Sequence, residues 1–149
     1  MLFTTSQVRA VLGLSSETLR YWRSSLVPLS SKPGGKAARF DIGEILALAV
    51  VAKLVSALRI DVGAIAPIAE QIFATCRRPM AIGSPTWLCI DVERNEVRVV
   101  TERVWLPDHA TLVVVAISDM ATAIKDALLQ PGEAGAGQRE FSWPLASVT

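Results

Sequence analysis

The sequence predicts an α+β protein in which an N-terminal winged helix-turn-helix is followed by a small β-rich domain with one amphipathic helix. Three observations support this fold class. Two short capped helices are joined by a glycine turn, a basic Gly/Pro segment and a long apolar helix follow them, and strand-like alternation begins near Thr86. We expect boundaries at 1–77, 78–130 and 131–149, with the last part a flexible tail.

Capping residues mark the first two helices. Thr4 to Gln7 forms a capping-box pattern, in which a threonine oxygen accepts a backbone amide and Gln7 reaches back. Gly13 can adopt the left-handed conformation that commonly ends a helix. Ser15 or Ser16 then begins a second helix, so the segment predicts a helix-turn-helix.

The second helix is expected to present different side chains on its two sides. The side chains expected in the core are Leu19, Trp22 and Leu26. Arg20, Tyr21 and Arg23 lie on the other side, where they are free for solvent or a ligand. Pro28 is expected to end this helix.

A basic segment and two further helices complete the N-terminal part. Residues 30–39, SSKPGGKAAR, are expected to form a β-hairpin or wing. Asp41 to Glu44 is a second capping pattern, and it begins the longest helix, to about Arg59. The residues expected to be buried on this helix are Ile45, Leu46, Ala49, Val50, Leu54 and Leu58. A fourth helix begins at Asp61, and Pro67 predicts a kink or a late start in it.

The C-terminal half is expected to contain a hairpin, a strand and a helix. Alternation over residues 86–101 predicts two strands joined by a turn at Glu93 to Glu96, and residues 112–117 predict a buried strand. Ser118 or Asp119 is expected to cap the amphipathic helix. The expected buried stripe of this helix is Met120, Ala123, Ile124, Ala127 and Leu128.

Two functions remain open for this half. We favour dimerisation, because three or four strands with one helix leave a face that a single subunit does not cover. The alternative is a small-molecule pocket lined by Trp87 and Trp105. The apolar segment Phe141 to Leu145 is expected to dock on its own subunit or on another one.

Charge is distributed unevenly along a chain whose net charge is only +1. Residues 1–59 carry eight basic and three acidic side chains, whereas residues 60–149 carry seven and eleven. A basic N-terminal half indicates that this half alone meets a polyanion. The candidate DNA-binding residues are Ser15, Ser16, Glu17, Thr18, Arg20, Tyr21, Arg23, Lys32, Lys36 and Arg39.

The segments TTSQVRAVLGLSSETLRYW, Ala38-Arg39-Phe40 and DIGEILAL together resemble the DNA-binding domain of the MerR family of transcriptional regulators. The resemblance covers about residues 3–75 and is strongest over Thr18 to Trp22. It implies a winged helix-turn-helix dimer on an inverted repeat, with backbone contacts from Arg20 and Tyr21 and a wing contact from Arg39. By the same resemblance Ser16 and Glu17 lie near base edges.

The chain departs from the family pattern in three places. SLVPLSS replaces the usual turn after the recognition helix, and Pro67 interrupts the fourth helix. A β-rich segment stands where family members commonly have a long dimerisation helix. Excisionases and related phage proteins share this domain, so the motif indicates DNA binding more directly than transcription.

We therefore expect a sequence-specific DNA-binding transcriptional regulator that acts as a homodimer, or a higher homo-oligomer, on an inverted-repeat operator. The partners are double-stranded DNA and a second copy of the chain, in the cytoplasm and associated with a bacterial or phage nucleoid. The alternatives are an architectural, excisionase-like or partition DNA-binding protein, and a protein-interaction adaptor of antitoxin type. A small-molecule effector or a protein partner is left open.

Other functional classes lack their sequence signals. Cys76, Cys89 and His109 do not form a metal-ligand pattern, and the thiols are expected in or near the core, so we expect no metal and no cofactor. No phosphate loop or nucleophile motif is present, so we do not expect an enzyme. No apolar run reaches the roughly 18 residues of a membrane span, and the N-terminus does not resemble a signal peptide.

Overall fold

The computed structural model describes residues 1–81, 84–101, 111–129 and 142–143, and these ranges form an α+β structure. The helices are α1 (Thr5–Leu12), α2 (Ser16–Ser25), α3 (Val27–Ser30), α4 (Ile42–Leu58), α5 (Val62–Ile65), α6 (Ala69–Cys76) and α7 (Ile117–Leu128). The strands are β1 (Phe3–Thr4), β2 (Arg39–Phe40), β3 (Met80–Ala81), β4 (Trp87–Asp91), β5 (Glu96–Val100), β6 (Leu112–Ala116) and β7 (Ser142–Trp143).

The predicted capping residues begin α1, α2 and α4. The Thr4 hydroxyl accepts the Gln7 N–H at 3.3 Å, and the Gln7 side-chain oxygen accepts the Thr4 N–H at 2.9 Å. Asp41 and Glu44 make the same reciprocal pair at the start of α4. Ser15 caps α2. These predictions are confirmed, because each cap depends only on residues within one helical turn.

The segment between α2 and α4 differs from the sequence prediction. The second helix ends at Ser25, and Pro28 lies in the first turn of α3. Backbone N–H groups in a first turn have no partner within the helix, so proline is tolerated there. Residues 30–39 do not form a hairpin. Arg39 and Phe40 pair instead with β1, and a 3₁₀ turn, Gly35–Ala37, precedes them. We refer to residues 31–38 as the basic loop.

The long helix α4 forms the centre of the core. Residues 42–51 are all buried, since α1, α6 and α7 pack around them. Near its C-terminal end the helix borders an open groove shared with β6 and α7, so Leu58 is 51% exposed and its predicted burial is wrong. The predicted kink at Pro67 is confirmed, because a 3₁₀ turn, Ala66–Ile68, separates α5 from α6.

Three strands form an antiparallel sheet in the order β5-β4-β6. The predicted hairpin corresponds to β4 and β5, and the predicted strand at residues 112–117 corresponds to β6. The predicted burial of that strand is wrong, because β6 lies at the sheet edge, where only Val115 is buried and Val114 is 50% exposed. The N-terminus of α7 differs from the prediction, because β6 runs directly into the helix and Ala116 is its N-cap. Ser118 instead accepts the Thr86 N–H at 3.1 Å through its hydroxyl, which ties α7 to the residue before β4.

The buried side of α7 also differs from the predicted stripe. Its buried residues are Ile117, Ala121 and Ile124, whereas Ala123 and Ala127 are exposed. Met120 and Leu128 are partly buried against the core, as predicted. Ile117, the first residue of α7, is buried, and Ala121 and Ile124 follow it at helical spacing on the same side. The buried side of the helix is therefore rotated relative to the predicted stripe.

The N-terminal helices and the C-terminal sheet share one hydrophobic core. Helix α7 contacts α1 and α4, and β5 contacts α6. In the predicted tail, Ser142 and Trp143 form β7, which pairs with β3. The rest of that tail, together with Trp105 and His109, lies outside the described residues.

Candidate nucleic-acid interface

Helix α2 separates its buried side chains from its exposed ones, as the sequence predicts. Leu19 and Trp22 are buried against the core and hold the helix in place. Glu17 and Arg20 are exposed, and Tyr21 is 55% exposed. The first two turns of α2 are therefore free to contact a large ligand.

A groove of about 390 Å³ lies between α2 and the basic loop. Two guanidinium groups contribute to its wall, those of Arg20 and Arg23. The hydroxyl-bearing residues of the wall are Thr5, Ser16, Ser24 and Ser30, and the loop contributes Gly34 and Gly35. Guanidinium groups and hydroxyls are the donors with which proteins bind phosphate oxygens, so this groove has the chemistry of a phosphate-binding surface.

Arg23 joins the two walls of the groove. Its Nη2 atom donates to the Lys32 carbonyl oxygen at 3.1 Å and also to the Pro33 carbonyl oxygen. Its Nε atom is buried and has no hydrogen-bond partner among the described residues. Arg23, which the sequence predicts to contact phosphate, therefore serves mainly to attach the basic loop to α2.

Lys32 points away from the exposed side of α2. Its Nζ atom lies 2.9 Å from the Glu44 carboxylate and donates to the Arg39 carbonyl oxygen at 2.9 Å. The ammonium also lies 5.4 Å from the centre of the Phe40 ring. Lys32 thus contacts two other candidate residues, Arg23 and Arg39, through backbone carbonyls, while its ammonium is paired with Glu44 rather than directed to the groove.

Glu44 is the centre of an ion cluster that sequence reasoning missed. This carboxylate is 2% exposed, and Arg77 binds it at 2.5 Å while also lying 3.3 Å from Asp41. The only indication of this cluster in the sequence is that an acidic residue occupies the third position of an apolar helix. That position is explained by the capping box alone, so the additional role of Glu44 was not apparent from the sequence.

The remaining cations of the basic loop are exposed. Lys36 extends from the 3₁₀ turn, and Arg39 follows the loop on β2. The Arg39 guanidinium folds back on the loop, donating through Nη1 to the carbonyl oxygens of Lys36 at 2.6 Å and Ala38 at 2.9 Å. Both charges therefore lie on the side of the loop that faces solvent.

Two of the candidate hydroxyls serve the helix cap. The Ser15 hydroxyl accepts the Thr18 N–H at 3.1 Å and donates to the Thr18 hydroxyl at 2.8 Å. Ser16, next in the chain, is exposed and borders the groove. Ser15 and Thr18 thus orient the N-terminus of α2, while Ser16 and Glu17 face outward.

The described residues contain little that points to other chemistry. Among them, no three histidine, cysteine or acidic side chains come close enough to hold a metal ion. Cys76 and Cys89 are both buried and do not form a disulfide, and burial raises the pKa of the Cys76 thiol to about 12. In the same ranges no helix combines the length and the apolar character that crossing a membrane requires.

Comparisons with known proteins do not assign a family to this chain. Protein-family models, curated proteins and solved structures all return no match. The functional conclusion therefore rests on the arrangement of α2 and the basic loop.

Proposed function

We propose that the protein is a sequence-specific DNA-binding transcriptional regulator that binds an inverted-repeat operator as a dimer, with α2 as its recognition helix. The observation that carries the proposal is the exposed N-terminal half of α2, with Arg20 exposed beside a groove bordered by hydroxyl-bearing residues. The sequence resemblance to MerR regulators supports the same role for this helix.

In the proposed complex α2 enters the major groove, which is about 12 Å wide and admits a helix. Ser16 and Glu17 lie in its first turn and face base edges, where they select sequence. Arg20 and Tyr21 lie in the next turn and contact the flanking phosphates. Leu19 and Trp22 do not contact DNA, because they anchor the helix to the core.

The basic loop contributes the second set of phosphate contacts. Lys36 in the loop and Arg39 directly after it are exposed, and we place them on the phosphate track beside the one contacted by α2, with the Arg39 guanidinium turning from the loop carbonyls to the phosphate. Arg23 has a positioning role, because its bonds to the Lys32 and Pro33 carbonyl oxygens set the distance between loop and helix. Lys32 supports the loop through Glu44 and makes no DNA contact.

The test is fluorescence anisotropy of a labelled random-sequence duplex titrated with the full-length protein over a series of salt concentrations. We expect the logarithm of the binding constant to fall linearly with the logarithm of salt, by about 0.9 per phosphate contact. Fragments selected from a genomic library should then bind more tightly and contain an inverted repeat. Absence of duplex binding at low salt contradicts the proposal.

The same selection distinguishes regulation from the alternative DNA-binding roles. Inverted repeats located between promoter elements support a regulator, whereas repeats confined to recombination or partition sites favour an architectural protein. An adaptor is distinguished by capture of a protein partner in the presence of nuclease, combined with no affinity for any duplex.

A further inference from the structure

The two edges of the three-stranded sheet differ in how their backbone groups are protected. At the β5 edge, the Gln71 side chain donates to the Asn95 carbonyl oxygen at 2.7 Å and accepts the Val97 N–H at 3.0 Å. This strand also carries Glu96 and Arg98, which form an ion pair on the surface. A capped and charged edge is the usual protection against pairing with another strand.

Among the described residues, the β6 edge has neither form of protection. Its five side chains, LVVVA, carry no charge, and no described residue pairs with its outer side. The Thr111 carbonyl accepts the Val92 N–H at 3.1 Å, and the Ile117 N–H donates to the Thr86 carbonyl at 3.0 Å. Since antiparallel strands alternate, odd-numbered residues of β6 bond to β4, and Leu112 and Val114 turn their N–H and C=O groups outward.

An apolar groove of about 410 Å³ runs along this open edge. Its walls are residues 113–116 and the C-terminal end of α4, with Leu54, Ala57 and Leu58. Val114 is 50% exposed and Leu58 is 51% exposed. A strand edge facing a helix across an apolar groove is the arrangement with which proteins bind an added β-strand.

We propose that a second copy of the chain occupies this edge, with β6 pairing antiparallel with β6 of the partner subunit about a twofold axis at Val114. This register joins two three-stranded sheets into one of six strands and removes the unprotected edge. It aligns uncharged side chains with uncharged side chains along the whole strand. Lys53 and Asp119 both line the groove. In a twofold pair, each subunit therefore brings one cation and one anion to the shared surface, so the charges of the two subunits can be complementary.

The inference deepens the proposed function, because a twofold pair supplies the two α2 helices that an inverted repeat requires. The β6 edge and its groove lie apart from α2 and contain none of its residues. A DNA-binding dimer that remains paired in the Val114→Pro variant contradicts the β6 pairing alone, and a β6-paired dimer without affinity for DNA contradicts the proposed DNA binding alone.

Matched proline substitutions at the two edges test the pairing. By the same alternation, Val97 and Val99 turn their N–H groups outward on β5, as the Val97 bond to Gln71 indicates. Val114→Pro and Val99→Pro therefore each remove one outward donor and no bond to β4, a substitution that edge strands tolerate. Light scattering of the DNA-free full-length protein should give twice 16.0 kDa for the wild type and for Val99→Pro, and 16.0 kDa for Val114→Pro.

Circular dichroism establishes that both proline variants are folded, and a cross-link gives an independent measurement. Val114→Cys should form a covalent dimer under mild oxidation, because twofold pairing brings the two residues 114 opposite each other, whereas Val99→Cys and the wild type should not. Folded Val114→Pro should also lose its preference for an inverted repeat over a single half-site. A monomeric wild type, a dimeric Val114→Pro, or no cross-link through residue 114 would each overturn the proposal.

Discussion

The Lys32 ammonium lies 2.9 Å from the Glu44 carboxylate, so one cation of the basic loop is directed toward the core rather than toward a ligand. Arg23 holds the backbone of the same loop from the other side, through the Lys32 and Pro33 carbonyl oxygens. The two contacts determine where the loop lies relative to α2. The candidate interface thus depends on internal polar contacts as well as on its exposed cations.

Replacing Glu44 should destabilise the fold. In Glu44→Gln, the partly buried Lys32 and Arg77 charges lose their shared partner, and we expect the free energy of unfolding to fall by about 2 kcal/mol. Urea titration followed by circular dichroism measures the change. The control is Glu96→Gln, which breaks the exposed pair with Arg98 and should change stability by less than about 0.5 kcal/mol. Equal effects of the two substitutions would show that the buried cluster has no special role.

Arg23 should control how firmly the basic loop is held. Arg23→Ala removes two hydrogen bonds from a charged donor to the loop backbone, worth about 1–2 kcal/mol, so the loop should open about 5- to 30-fold more often. Trypsin cleavage after Lys36 reports this opening when the protease is dilute. Arg20→Ala is the matched control, because Arg20 lines the same groove but makes no hydrogen bond to the loop backbone in the described structure. Unchanged cleavage of Arg23→Ala relative to that control contradicts the positioning role.

Two glycine-to-alanine substitutions should have different effects. A Cβ atom at Gly43 would lie 2.7 Å from Cγ and 3.0 Å from Cα of Arg77, so Gly43→Ala should cost about 1–3 kcal/mol through overpacking. At Gly63 the Cβ meets only the Asp61 side chain, which can rotate away. Gly63→Ala should therefore be neutral or raise stability by up to about 1 kcal/mol, since alanine favours a helix. Thermal unfolding of both variants checks the difference, and a Gly43→Ala protein as stable as wild type contradicts the packing of α4 against Arg77.

Burial of Cys76 predicts a loss of stability at alkaline pH. Burial raises the pKa of this thiol from 9.0 in the unfolded chain to about 12 in the folded one. Between these values the unfolded state releases a proton that the native state retains, so the free energy of unfolding falls by about 1.4 kcal/mol per pH unit above pH 9. Cys76→Ala should lack this component, so urea titrations at pH 8 and pH 10 should show a smaller loss for the variant. Equal losses would indicate that the thiol is not protonated in the folded protein above pH 9.

Features of the structure that depend on residues close together in the sequence could be predicted, whereas those that depend on contacts between distant segments could not. The caps formed by Thr4 and Asp41 were predictable, because each involves residues within one turn. The burial of Lys32 was not, because which loop cation meets Glu44 depends on the path of the basic loop. Leu58 matched the buried row of α4, but it is exposed because it borders the groove between α4 and β6, which depends on how distant segments pack.

The C-terminal half illustrates the same limit. Alternation identifies β4, β5 and β6 as strands, but their order arises from pairing between residues far apart in sequence. The open edge of β6, which the dimer proposal uses, follows from that order. The α2 side of the interface was more accessible, since helical spacing alone separates Trp22 from Tyr21.

If α2 attaches the protein to the DNA backbone through its exposed side chains, removal of Arg20 should weaken binding where removal of a distant exposed arginine does not. Arg20→Ala and Arg94→Ala each remove one exposed positive charge, the first from α2 and the second from the turn between β4 and β5. Anisotropy titrations over a salt series should show that Arg20→Ala weakens binding to every duplex by about 5- to 10-fold and reduces the salt slope by about 1. Arg94→Ala should match the wild type in both quantities. Equal effects of the two substitutions, or none from Arg20→Ala, would contradict DNA recognition by α2.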